Sequence, residues 1–156
     1  MPLTFCGIDP GTTGALAFLD AADLSRVVVY DMPEANKQVE PCRLAEIIRK
    51  HGPALAVVEQ QGPKPTDGCR QAFSIGGSFM AARAVLAVLG VPTHLATPAK
   101  WMQHAGIYGA ADPKEAGRAL ALRLWPADAA TFRRKSDHNR ADAALIARFA
   151  AETLKG

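Results

Sequence analysis

The chain has 156 residues, 49% of them hydrophobic, with 18 Lys or Arg against 15 Asp or Glu, which excludes a disordered chain and reads as one globular domain over residues 1–156. Cys6, Cys42 and Cys69 are odd in number and far apart, which excludes a disulfide framework and the ligand spacing of a structural zinc site. Apolar segments reach neither a membrane span (80–91 is interrupted by Arg83 and Gly90) nor a secretory signal behind a basic start, so the expected location is the cytoplasm.

Residues 3–9 and 14–20 read as apolar strands joined by a turn of Pro10, Gly11, Thr12, Thr13 and Gly14. Residues 26–31, with Val27, Val28 and Val29, complete a predicted antiparallel meander. Residues 32–39 are polar, contain Pro33 and predict a loop. Residues 41–50 have helical spacing at Leu44, Ile47 and Ile48, with Pro41 in the first turn and Gly52-Pro53 as the stop.

Residues 54–59 are a continuous apolar run ending in Glu59, which predicts a central strand parallel to the first. A loop over 60–68 leads to a long helix over about 69–89, with Gly76, Gly77 and small residues offering a close approach to another helix, in this chain or a second copy. Residues 93–96 predict a fifth strand. Thr97-Pro98 and Asp112-Pro113 read as capped helix starts, the second helix ending before Trp125-Pro126. Residues 126–135 read as a basic loop, and 139–154 as the last helix.

The chemistry lies in the acids. Asp9 and Glu59 both close apolar strands, at the strand ends where open α/β sheets bind ligands. Two carboxylates there repel unless a cation bridges them or one is protonated. Asp142 falls in an Ala- and Leu-rich helix; Asp137 and His138 lie just ahead of it, and His138 shares its helix face at four residues' distance. Taken alone, Asp137 reads first as a helix N-cap. Hard oxygen donors with at most one imidazole suit Mg²⁺ or Mn²⁺ better than zinc. Between Lys100 and Arg148 there are nine Lys or Arg against five acids, with Arg133, Arg134 and Lys135 consecutive, a candidate phosphate-contacting surface.

The order Gly7-Ile8-Asp9-Pro10-Gly11, Val57-Val58-Glu59, a glycine-containing helix, Thr97-Pro98, Lys100-Trp101, Lys114-Glu115-Ala116, Leu124-Trp125-Pro126 and Lys135-Ser136-Asp137-His138-Asn139-Arg140-Ala141-Asp142 resembles the RuvC-like Holliday-junction resolvases, especially the compact phage and prophage type. It spans residues 3–150. The resemblance implies an α/β, RNase H-like five-stranded mixed sheet flanked by helices. It further implies a homodimer that nicks four-way DNA junctions symmetrically, using water activated by two Mg²⁺ or Mn²⁺ ions per site, with neither membrane nor nucleotide cofactor. Asp9, Glu59 and Asp142 match the family's metal-binding acids; Asp137 or His138 completes the set, with Asn139 behind them. Asn139 stands where the family has Gly, and Asp142 where it has the longer Glu. Phe73 is the candidate for base stacking, and Lys100, Lys114, Arg133, Arg134, Lys135 and Arg140 for phosphate contacts. Competing readings are a related nuclease acting on RNA or flapped DNA and a junction-binding module without catalysis. The turn after Asp9 is also similar to the phosphate loop of sugar kinases and actin-like ATPases, but those folds enclose the nucleotide with a second domain, for which this chain is too short.

Overall fold

The computed structural model describes residues 3–154. Three strands, β1 (Thr4–Asp9), β2 (Ala15–Asp20) and β3 (Asp23–Asp31), form the antiparallel meander. Two more, β6 (Leu55–Glu59) and β7 (Thr93–Ala96), lie parallel to β1, giving the order β3-β2-β1-β6-β7. The segment expected as a loop at 32–39 carries a small hairpin of two-residue strands, β4 (Glu34–Ala35) and β5 (Gln38–Val39). Its turn places Asn36 and Lys37 in the left-handed region, at φ of 53° and 62°. Asn tolerates that conformation; Lys gives no sequence signal for it.

Helices α1 (Pro41–His51), α2 (Cys69–Val88), α3 (Pro98–Ala105), α4 (Pro113–Leu124) and α5 (His138–Thr153) cover the sheet. Side chains of Glu40, Thr97 and Asp112 cap α1, α3 and α4, and each of these helices starts with Pro. The stretch expected as a basic loop at 126–135 is instead two short 3₁₀ segments, Pro126–Phe132 and Lys135–Asp137. Burial of Trp125 and Phe132 anchors it to the core.

Strand alternation sorts the core into two layers. Cys6, Ile8, Leu16, Phe18, Ala56 and Val58 face α1 and α2. Phe5, Ala15, Ala17, Leu19 and Val57 face α5. By the same parity Asp9 and Glu59 point to the α5 side. Helix α5 comes against β1 at Gly7, where a Cβ would lie 2.2 Å from the Ala147 nitrogen and 2.3 Å from the Ala143 oxygen. Any side chain at residue 7 would lift α5 off the sheet.

Helix α2 departs from the rest. It is long and apolar enough, by length and composition, to cross a membrane, which corrects the expectation that no segment reaches that length. Within it only Ser78, Ala82, Val85 and Leu86 are buried, while Phe73, Met80 and Val88 are exposed. A Cβ built at Gly76 or Gly77 meets no atom within 4 Å among the described residues, so these glycines serve no packing within the chain.

Candidate active site

Asp9 and Glu59 are the last residues of neighbouring parallel strands. The chain register therefore sets them side by side at one rim of the sheet, on the face that α5 covers. The Gln61 side chain, two residues past β6, marks how close they are: its Nε2 donates to Asp9 Oδ1 at 3.2 Å and to Glu59 Oε1 at 3.3 Å. The other Glu59 oxygen, Oε2, accepts from the indole Nε1 of Trp101 at 2.7 Å.

Asp142 joins them from the second turn of α5. The charges of Asp9 and Glu59 bear on it, and that of Glu59 on Asp9. Burial, then Glu59, pushes the Asp9 carboxyl up to about 7. Burial, then Asp9 and Glu59, pushes Asp142 up to about 8. Both shifts run against ionisation, as burial and like-charged neighbours dictate. Lys114 at the start of α4 is exposed and offsets both in part. Behind Asp142, α4 comes near at Gly117, whose Cβ would lie 3.3 Å from Asp142 Oδ1.

His138 opens α5 one turn before Asp142. Its Nδ1 is buried without a hydrogen-bond partner among the described residues. Burial and the Lys114 charge hold its imidazole below the ordinary value, which favours the neutral ring.

Asp137 has a different setting. It is 2% exposed, and its carboxylate accepts from Arg134 N at 2.8 Å, Arg134 Nη2 at 2.9 Å and Arg134 Nε at 3.1 Å. Arg140 Nη1 stands 3.5 Å away. Burial acts to raise its pKa, but the Arg134 hydrogen bonds and the two guanidinium charges outweigh that and hold it below the usual carboxylate range. Asn139 is also engaged: its Nδ2 donates to the Thr13 carbonyl at 2.6 Å, tying α5 to the turn after Asp9.

The basic residues divide likewise. Arg140 grips Asp31 with two bonds of 2.7 Å, and Arg134 holds Asp137. Lys100 lies over the Phe149 ring, 5.9 Å from its centroid. Arg133, Lys135 and Lys114 are exposed and form no ion pair among the described residues. Lys114, Lys135, Ser136 and His138 line a cavity of about 400 Å³ together with Asp112 and Glu115. Phe73 is 78% exposed on α2.

The sheet order and site place the molecule among known folds. It is similar to Thermus thermophilus RuvC in complex with a Holliday junction substrate, with a TM-score of 0.70 and 19% identity over 96% of this chain and 94% of that one. A second Thermus thermophilus RuvC structure gives a TM-score of 0.63 and 20% identity over 96% and 95%. The yeast mitochondrial Holliday junction resolvase Ydc2 gives 0.57 and 17% over 92% and 75%. The chain has the RuvC-like fold. No family model matches the sequence, and no curated protein does. The expected five-stranded mixed sheet and the RuvC-like resemblance are thus both met in the architecture.

The carboxylate oxygens of Asp9, Glu59 and Asp142 are of the kind that suits a hard divalent ion, and Asp9 and Asp142 are pushed toward their neutral forms. Among the described residues no three such groups already stand in metal-holding geometry. The Gln61 amide bridges Asp9 and Glu59 instead. Sequence reasoning named all three acids but missed Gln61 and Trp101. Gln61 carries no signal of its own, and the Trp101 contact to Glu59 joins residues 42 apart in the chain.

Proposed function

We propose that the protein is a structure-selective endodeoxyribonuclease that resolves four-way DNA junctions by paired symmetric nicks. What supports this reading is the pairing of Asp9 and Glu59 at the ends of neighbouring parallel strands, bridged by one Gln61 amide, with Asp142 on the helix over that face near enough for both charges to raise its pKa. The solved structures of similar fold, which include RuvC in complex with a Holliday junction substrate, supply the substrate class.

Asp9, Glu59, Asp142 and the idle nitrogen of His138 would hold the ions. Mg²⁺ or Mn²⁺ bound there supplies water activation and stabilises the leaving oxygen of a phosphodiester. Asp9 and Asp142 must shed their protons to serve, so ion binding strengthens as pH rises through about 7 to 8. His138 is preferred to Asp137 as the fourth ligand, because the Asp137 oxygens already accept from Arg134. Lys114 carries positive charge beside the acids and faces the phosphate. Lys100, Arg133 and Lys135 hold neighbouring backbone phosphates. Arg134 and Arg140 do so less, being committed to Asp137 and Asp31. Phe73 offers an exposed ring for an unstacked base. The uncovered face of α2, with Gly76 and Gly77 bare, is the surface on which two copies pair, and two sites at a fixed separation read a junction by shape.

The test is incubation of the purified protein with labelled junction, duplex, flap and RNA–DNA hybrid, each with Mg²⁺, Mn²⁺ or chelator. Paired nicks at symmetric positions in the junction, abolished by chelator, are expected. Preferential cutting of the hybrid transfers the protein to the RNase H class. Junction binding without cutting in either ion makes it a binding module.

A further inference from the structure

The Glu59 carboxylate is held asymmetrically. Oε1 turns toward Asp9, where among the described residues the Gln61 amide alone donates to it, at 3.3 Å. Oε2 accepts the shorter, 2.7 Å bond from the Trp101 indole. The two donors differ in kind. Gln61 is half-buried on the loop after β6, and its amide has rotatable bonds and a second acceptor in Asp9. Trp101 is fully buried in the α5-side core and sits in α3, a helix pinned at its start by the Thr97 cap and Pro98. An indole has one N–H and no acceptor, so it can only donate. Its ring cannot turn without disturbing the packing around it.

We propose that Trp101 is a positioning residue for the acid cluster: its indole N–H locks Glu59 Oε2 and thereby aims Oε1 at Asp9. The consequence for ion binding rests on the divalent-metal reading of the site given above. Glu59 has three side-chain torsions, and freezing them before an ion arrives removes an ordering cost that would otherwise weaken binding. Gln61, with rotatable bonds and a divided amide, would then be the exchangeable partner, while Trp101 stays.

The molecule contains its own control. Trp125 is equally buried, and its Nε1 donates at 3.0 Å to the Leu24 carbonyl, a contact with the meander rather than with an acid. The experiment compares Trp101→Phe, Trp125→Phe and a protein with benzothienylalanine at position 101, which keeps the indole shape but replaces N–H by sulfur. In chelator, the Trp101 Nε1–H resonance, assigned by its loss in Trp101→Phe, is expected to move in Glu59→Ala; an unmoved resonance overturns the pairing without reference to any metal. Mn²⁺ affinity, read from the paramagnetic resonance signal of the free ion, is expected to fall about 10–100-fold in both position-101 variants. It should stay within about twofold of the parent in Trp125→Phe, which bears on no carboxylate. Parental affinity in the benzothienylalanine protein overturns the proposal, as does an equal loss in Trp125→Phe. If Glu59→Ala binds Mn²⁺ as the parent does, the metal reading of the site fails, and the resonance shift alone decides whether Trp101 positions Glu59.

Discussion

Two acids near the start of α5, five residues apart, are both largely removed from water and have opposite electrostatics. Asp137 is met by three N–H groups of Arg134 and by the Arg140 guanidinium, and it is held as an anion. Asp142, by burial first and then by the charges of Asp9 and Glu59, is driven toward its neutral form, with Lys114 offsetting this in part. Burial is common to both, so burial does not mark a site. The mark is a buried charge that the protein leaves uncompensated, because natural folds pair buried acids unless something else is to bind there.

The comparison breaks most readily at its functional end. Asp9→Asn or Asp142→Asn should lower junction cleavage by at least about 10³-fold, near 4 kcal/mol of barrier, while junction affinity stays within about threefold. Quantitative cleavage and gel-shift assays on the same preparations check this. Parallel loss of binding would mean that the cluster is structural like Asp137. The structural end carries the next largest effect. Asp137 makes no side-chain cap bond to α5, so Asp137→Ala removes the acceptor of three Arg134 N–H bonds, and should cost about 1–3 kcal/mol of stability. With roughly 2–4 °C per kcal/mol for a chain of this size, thermal denaturation should show it plainly. Cleavage per folded molecule should change little. A cleavage loss matching that of Asp9→Asn would restore Asp137 to the metal site.

The sequence announced one member of this pair better than the other. Asp9 and Glu59 end apolar runs, and strand parity alone turns both to one face; Asp142 interrupts an Ala-rich helix. Such signals survive without coordinates because they are local patterns. What gives Asp137 its role is partly local, Arg134 three residues before it, but an acid beside His138 reads equally as a ligand. Arg140 gives no warning at all, since its partner Asp31 lies 109 residues away on β3. The hairpin at 34–39 escaped for another reason: two-residue strands have no periodicity to detect. The 126–135 stretch reads as a loop in sequence because its cations are conspicuous and its anchors, Trp125 and Phe132, are only two aromatics.

Titration sharpens the contrast further. Unfolded, all three acids titrate near 3.9. Asp9 and Asp142, raised to about 7 and about 8 by burial first and then by their acidic neighbours, hold protons in the folded state that the unfolded chain has lost. Over that window the native state binds more protons, so stability in chelator should fall as pH rises from about 4 to about 8. Asp137 has the opposite sign: its contribution is present above the ordinary carboxylate range and is lost as pH falls through and below it. Melting temperatures in chelator should therefore decline between pH 5 and 8. The decline should flatten in Asp142→Asn and persist in Asp137→Asn. A parent curve without slope would mean that the cluster is already compensated.

The smallest effect tests whether the space around Asp142 is set for function. Gly117 sits in α4, where Ala is the better helix former by up to about 1 kcal/mol. A methyl group there would stand 3.3 Å from Asp142 Oδ1, and at 3.5 Å from Ile107 Cδ1 and 3.6 Å from Leu145 Cδ1 it meets only ordinary contacts. The carboxylate is thus the group that must yield, by a few tenths of an ångström. Gly117→Ala should leave the melting temperature level or slightly raised while cleavage falls about three- to tenfold. Stability and cleavage falling together would show that residue 117 is glycine for packing alone. A gain in one with a loss in the other would show that α4 gives up helix stability to keep Asp142 where the cluster needs it.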